Sequence, residues 1–322
     1  QAGGGRHRCH RGSRKRWHRE GRGERMIARA LAWLLLKIAG KEERAMSKEV
    51  KNTLKTILTY AVLILMALVM LVPFAWMISA SLKLEKDVFS YPIVWIPKDP
   101  VWSNYQEIWK KVPLLQGFFN TTKLTVCTTV LQLLTSSFAA YAFAKLEFKG
   151  RDLIFMLYVM TIAIPWQVYM VPQYKMMTMF HLTDSHLGLI LMHAFTATGV
   201  FLIRQFFMGI PTELLEAARI DGLSEYGIWA KIMLPLSKPA IATLCITSFT
   251  FEWNDFMGPL IYISTTSKKT IQLLLRMFNT QYSSNYAQIM AAATVALIPV
   301  LILFAFLQRY FVEGIASSGI KG

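Results

Sequence analysis

Six apolar runs, each long enough to cross a lipid bilayer, constrain this chain more than any other feature. They lie at about 56–80, 120–144, 153–171, 187–207, 240–263 and 286–311. Crossing ~30 Å of hydrocarbon at 1.5 Å per residue takes ~20 helical residues. The runs are continuous rather than alternating, so they read as α-helices, which satisfy their own backbone inside lipid. The chain therefore reads as an all-α integral membrane protein with six transmembrane helices. Composition agrees. The 322 residues are 54% hydrophobic and 17% charged, against roughly 25% charged in an average soluble domain. That balance excludes a disordered chain and a compact water-soluble one.

The net charge of +16 does not point to nucleic acid, because it is concentrated in a tail. Residues 1–55 hold 16 of the 35 Lys and Arg and 5 of the 19 Asp and Glu. Residues 1–45 read as a disordered basic tail, rich in Gly, Arg and His at its start, with Met26 and Met46 as candidate starts of an over-extended reading frame. The membrane-spanning body is expected at 46–322. The apolar stretch 26–40 is too short to span and is cut by Arg29 and Lys37. Basic residues before the first run place the N-terminus in the cytoplasm, and six crossings return the C-terminus there. The connector 145–152, with Lys145, Lys149 and Arg151, then falls inside. The connector 81–119 falls outside despite five lysines. Pro165 and Pro299, inside the third and sixth runs, are expected helix kinks.

The connector at 208–239 is the least apolar part of the body and the most patterned. It reads MGIPTELLEAARIDGLSEYGIWAKIMLPLSKP. Thr212 can cap a helix entered after Pro211, and Gly222 suits a left-handed stop. Ser224 can cap a second short helix, ended by Pro235 and Pro239. The segment reads as two short helices joined at a glycine beneath the membrane. It is either a docking element for a partner groove or a rigid connector packed on its own protein.

Glu216-Ala217-Ala218, Asp221-Gly222 and Ile232-Met233-Leu234-Pro235 resemble the EAA loop of ABC importer permeases. FLIRQFFMGIP at 201–211, FEWNDF at 251–256 and QRYFVEGIASSGIKG at 308–322 are similar to the carbohydrate-uptake branch of that family, the maltose- and glycerol-phosphate-type permeases. The resemblance covers about 46–322. It implies a type-1 ABC importer permease fold with a cytoplasmic coupling helix pair, in the plasma membrane. It implies a second permease subunit, two ATP-binding subunits that bind the EAA loops, and an extracytoplasmic solute-binding protein. The coupling role falls by position on Glu216, Ala217, Ala218, Asp221, Gly222, Leu223 and Pro235. Leu223 departs from the alanine that many members carry there.

In the fifth run, Glu252, Trp253, Asn254 and Asp255 either line a solute path or bond to neighbouring helices, since charge at that depth faces protein or water. Asn120 is expected to cap the second helix. His181, His186 and His193 are spaced by five and seven residues, not as an i, i+4 metal pair, and Cys9, Cys127 and Cys245 form no CxxC motif. No GxxxxGK[ST], GxSxG or HExxH motif occurs. The chain is thus expected to be a pore subunit with no catalytic residues, metal or cofactor of its own, ATP being bound by a partner. A self-sufficient secondary carrier or channel is the alternative.

Overall fold

The computed structural model describes residues 14–278 and 285–319. Residues 1–13 of the basic tail, with Cys9, and the terminal 320–322 lie outside them. The described residues are helical with connecting turns, in keeping with continuous apolar runs. The chain divides at Pro73 into two compact units.

The first unit is one helical stretch. Helix α1, Arg14–Ser81, begins in this unit. The sequence alone led us to expect no structure over its first thirty residues. The stretch is helical because it is dense in Ala, Leu, Arg, Lys and Glu, which propagate helix well, and holds no proline before Pro73. Every side chain from Val50 to Val72 is exposed, as suits a helix turned to lipid.

The second unit is built around one long helix. A segment from Leu82 to Trp102 follows α1 and leads into α2, Ser103–Lys111, and α3, Leu114–Lys145. Helix α3 starts six residues before the apolar run does. Its buried side is polar and small: Thr121, Thr125, Thr128, Gln132 and Ser136 recur at helical spacing. Its exposed side carries Leu115, Phe119, Val126, Val130 and Leu134. This is the membrane arrangement, in which lipid takes the large apolar groups and small polar residues let helices approach closely.

Three long apolar helical segments, Val50–Ser81, Leu114–Lys145 and Tyr286–Arg309, are candidate spans each formed by a single helix. The third belongs to α14, Tyr286–Gly319, which carries Pro299 inside it. Two of the other expected spans, the third and fourth, are bent pairs, and a third bend falls just before the fifth run. Helices α4, Arg151–Met160, and α5, Trp166–Met179, meet at 101° across Pro165. Pro165 therefore separates two helices instead of kinking one, because its ring disfavours helical backbone in the residue before it; Ile164 is extended, with ψ 111°. Helices α6, His186–Met192, and α7, Ala197–Met208, meet at 47°. The fifth run holds α11, Lys238–Trp253, and α12, Met257–Tyr262. Short helices α8, Thr212–Ile220, α9, Glu225–Ile228, and α10, Leu234–Leu236, precede it. The stretch from Glu225 through α10 meets α11 at 82°.

Helix α3 packs along α7 and α11, and α11 along α14. It runs from one end of the unit to the other. At its start Asn120 Nδ2 donates to the carbonyls of Ser267 and Lys269, at 2.8 and 2.9 Å. At its end Lys145 Nζ donates to the Ile210 carbonyl at 2.6 Å. Twenty-five residues of helix separate these ties by about 38 Å, the depth of a bilayer. Asn120 is thus a mid-helix anchor, not the expected cap. Helix α13, Ile271–Arg276, packs near the start of α3, and Thr121 Oγ1 accepts the Ile271 N–H at 2.9 Å.

Candidate functional site

The patterned connector forms the helix pair α8–α9. Pro211, at ψ 137°, takes the N-cap position in place of the expected Thr212, which is the first helical residue, and no side chain caps the helix; Glu213 lies in the first turn, where a carboxylate meets the positive end of the helix dipole. Gly222, at φ +82°, ends α8 in the left-handed region. Ser224 accepts the Gly227 N–H and caps α9.

Helix α8 is divided by its 3.6 period. Leu215 and Ala218 are buried, at 0% and 4% exposure. They join a core with Tyr141, Val200, Phe207, Ile228, Trp229 and Met233. On the other side Leu214, Glu216, Ala217 and Ile220 are exposed, as is Tyr226 of α9; Ile220 is 86% exposed. Of the residues singled out from the sequence, Glu216, Ala217, Asp221, Gly222 and Pro235 stand in the open and Leu223 is half-buried. Ala218 faces the protein's own core. A Cβ built on Gly222 would meet nothing within 4 Å.

The pair is held directionally as well as by burial. Glu225 Oε1 accepts from Arg219 Nε at 2.8 Å, and its Oε2 accepts from the Tyr141 hydroxyl. The Phe138 and Trp229 rings stack, with centroids 3.9 Å apart. Residues Trp229–Met233 form a π-helical turn that leads into α10, a geometry that recurs at functional sites.

FEWNDF lies at the C-terminal end of α11 and the break before α12. Glu252 is buried: Gln132 Nε2 donates to its Oε1 at 3.2 Å, and His193 Nδ1 lies 2.9 Å from its Oε2. Gln132 Nε2 also donates to the His193 carbonyl at 2.7 Å. Trp253 is buried, and its Nε1 donates to the Ala296 carbonyl at 2.9 Å. Asn254 is exposed and Asp255 half-buried at the break between α11 and α12, where Asp255 Oδ1 accepts the Gly258 N–H at 3.2 Å. Glu252, Asp255, His193, Thr121, Thr128 and Thr270 line a narrow cleft whose accessible cavity is only about 10 Å³. Among the described residues no group of three His, Cys, Asp or Glu is placed to hold a metal ion.

At the far end, Asp184 gathers the connector that follows α12. Its Oδ1 accepts the N–H groups of Ser264 and Thr265, both at 3.0 Å, and its Oδ2 accepts from Thr265 Oγ1 at 2.6 Å and Lys268 Nζ at 3.1 Å. These bonds, that of the Thr265 side chain first, hold the Asp184 carboxyl well below the usual carboxylate range.

Sequence reasoning missed Tyr141, Gln132 and His193 as partners. Each lies inside an apolar run and meets a residue 59 or more positions away, so no local spacing announces it.

Residues 132–317 match the family model described as binding-protein-dependent transport system inner membrane component. The chain is 38% identical over 205 residues to the arabinooligosaccharides transport system permease protein AraQ of Bacillus subtilis (strain 168), covering 64% of this chain and 73% of that one. It is 34% identical over 255 residues to the melibiose/raffinose/stachyose import permease protein MelC of the same organism, covering 78% and 91%. Its fold is similar to that in the crystal structure of a bacterial ABC transporter involved in the import of the acidic polysaccharide alginate, with a TM-score of 0.71 and 25% identity over 81% of this chain and 98% of that one. The matched region takes in α6, α7, the α8–α9 pair and the FEWNDF segment described above, and the chain belongs to the family of binding-protein-dependent transport system inner membrane components, the multi-pass permease subunits of ABC importers.

Proposed function

We propose that this chain is the permease subunit of an ATP-driven importer that moves a sugar or sugar-like solute inward by alternating access. The observation that carries the coupling half of this reading is the division of α8. A helix that buries Leu215 and Ala218 in its own core while presenting Leu214, Ala217 and Ile220 to the outside has an apolar ridge that needs a groove. A cleft on an ATP-binding subunit is that groove. Glu216 supplies a charged contact, Ala217 allows close approach, and Gly222 sets the angle of the pair.

The solute class rests on relatives such as AraQ and MelC, whose names are those of arabinooligosaccharide and melibiose/raffinose/stachyose systems. The transporter comprises a second permease, two ATP-binding subunits and an extracytoplasmic solute-binding protein. The α8–α9 pair and both termini are cytoplasmic, so the Asp184 end faces outward. Glu252 and Trp253 hold helices together through Gln132, His193 and Ala296. Contact with solute falls to the side of Asn254 and Asp255.

The test is co-purification and uptake. The chain expressed with its neighbouring transporter genes should retain an ATPase through detergent extraction, and uptake of a labelled oligosaccharide should stop when ATP is depleted. Uptake that persists without ATP and with no ATPase attached would establish a self-sufficient carrier instead. Removal of residues 1–45 should leave uptake unchanged.

A further inference from the structure

We propose that Tyr141 is a positioning residue for energy coupling: through Glu225 and Arg219 it locks the α8–α9 pair to α3, so that movement of the pair at the ATPase is carried into the second span. This rests on the reading of α8–α9 as the ATPase-docking element.

One carboxylate joins three helices. Glu225, in the first turn of α9, accepts the Tyr141 hydroxyl of α3 on Oε2. Arg219, in the last turn of α8, reaches the same carboxylate with Nε at 2.8 Å and Nη2 at 3.4 Å. Tyr141 is 4% exposed, so it does not touch a partner subunit; its ring packs in the core shared with α8, and its hydroxyl acts through Glu225. Phe138, Tyr141 and Lys145 stand at i, i+3 and i+7 on one face of α3. All three grip the same region: Phe138 stacks on Trp229, Tyr141 bonds Glu225, and Lys145 bonds the Ile210 carbonyl.

Burial alone would seat the pair without fixing its register. Leu215, Ala218, Ile228 and Met233 make non-directional contacts that tolerate sliding. The bonds to an ionised carboxylate are directional. The Arg219–Glu225 pair is partly exposed and adds little to stability by itself. The expected signature is therefore a loss of coupling without a loss of folding.

The test uses the whole transporter in lipid, with permease partner, ATPase subunits and binding protein. Tyr141→Phe removes one hydroxyl and keeps the ring. The variant should retain the ATPase at the native ratio, while solute-stimulated ATP hydrolysis and uptake fall about fivefold, the worth of one directional hydrogen bond. Glu225→Gln should produce the same uncoupling, and the double variant should be no worse than the poorer single one, since both act on one joint. Exchanging the charges, Arg219→Glu with Glu225→Arg, keeps the ion pair and a donor to the Tyr141 oxygen, and should restore uptake lost in Arg219→Glu alone. Native stimulation in Tyr141→Phe overturns the proposal. So does loss of the ATPase together with uptake, which would make Tyr141 a folding residue, and so does a charge exchange that restores nothing. If the native chain retains no ATPase, the docking reading falls and the proposal falls with it; if it does and Tyr141→Phe behaves natively, the proposal alone fails.

Discussion

The connectors tied to the two ends of α3 are built from similar polar and small residues to opposite effect. At the Asp184 end, carboxylate, hydroxyl and ammonium groups turn inward on one another. Asp184 itself sits at φ +50°, a left-handed conformation that Asp tolerates better than most residues, and in that position both its oxygens and its carbonyl accept bonds from residues 264–268. At the other end the α8–α9 pair spends its polar groups on anchoring and leaves apolar ones outside. Arg219, Glu225, Tyr141 and Lys145 hold it to α3, while Leu214, Ile220 and Tyr226 are exposed. The polar groups of the first connector satisfy one another; the apolar side of the second is the one proposed to meet a second protein.

This contrast can be broken by substitution, and the largest effect belongs to the inner side of α8. Leu215→Ala should cost about 2–5 kcal/mol, because Leu215 is fully buried and truncation leaves a cavity; a sharply lowered thermal midpoint in detergent would register it. Gly222→Asp should lower that midpoint modestly, since an L side chain at φ +82° costs about 1 kcal/mol, and should lower the amount of retained ATPase at least about tenfold, a hot-spot loss. The Cβ of the new side chain meets nothing within 4 Å in its own protein and stands on the side proposed to dock. Full retention of the ATPase would mean the pair does not dock there. Ile220→Ala, on the exposed side, should lower retention about fivefold with folding unchanged. Equal effects of Leu215→Ala and Ile220→Ala on folding would erase the distinction between the two sides.

Asp184→Asn is the smallest change and sharpens the comparison from the other end. The Asp184 carboxyl is held low in the folded chain, so its contribution to stability is present in full above the ordinary aspartate range near about 3.9. It is lost as pH falls from there through the lower folded value. Thermal midpoints of native and variant protein should differ at neutral pH and converge in strong acid. ATPase retention should be the same in both, and a change in it would tie the far end to docking.

Much of this was legible in the residues. Apolar length is a local property, so the six runs announced themselves, and the Pro211, Gly222 and Ser224 signals marked the helix pair. The side of α8 that faces inward was not legible, because Leu214 and Leu215 are adjacent and equally apolar; the position of Tyr141, Ile228 and Met233 selects Leu215. Asn120 read as a helix cap because its run begins there, but α3 extends back to Leu114, and the amide bonds a loop 147 residues on. Pro165 read as a kink, and its neighbour's extended backbone makes a 101° break.

By itself the sequence determined a helical membrane chain with one patterned connector, since hydropathy and capping act over a few residues. The tertiary structure alone decided that Glu252 meets His193 and Gln132, and that one face of α3 grips the α8–α9 pair. Those pairings join residues 59 to 120 positions apart, and only the packing of α3 against α7 and α11 brings them within bonding distance.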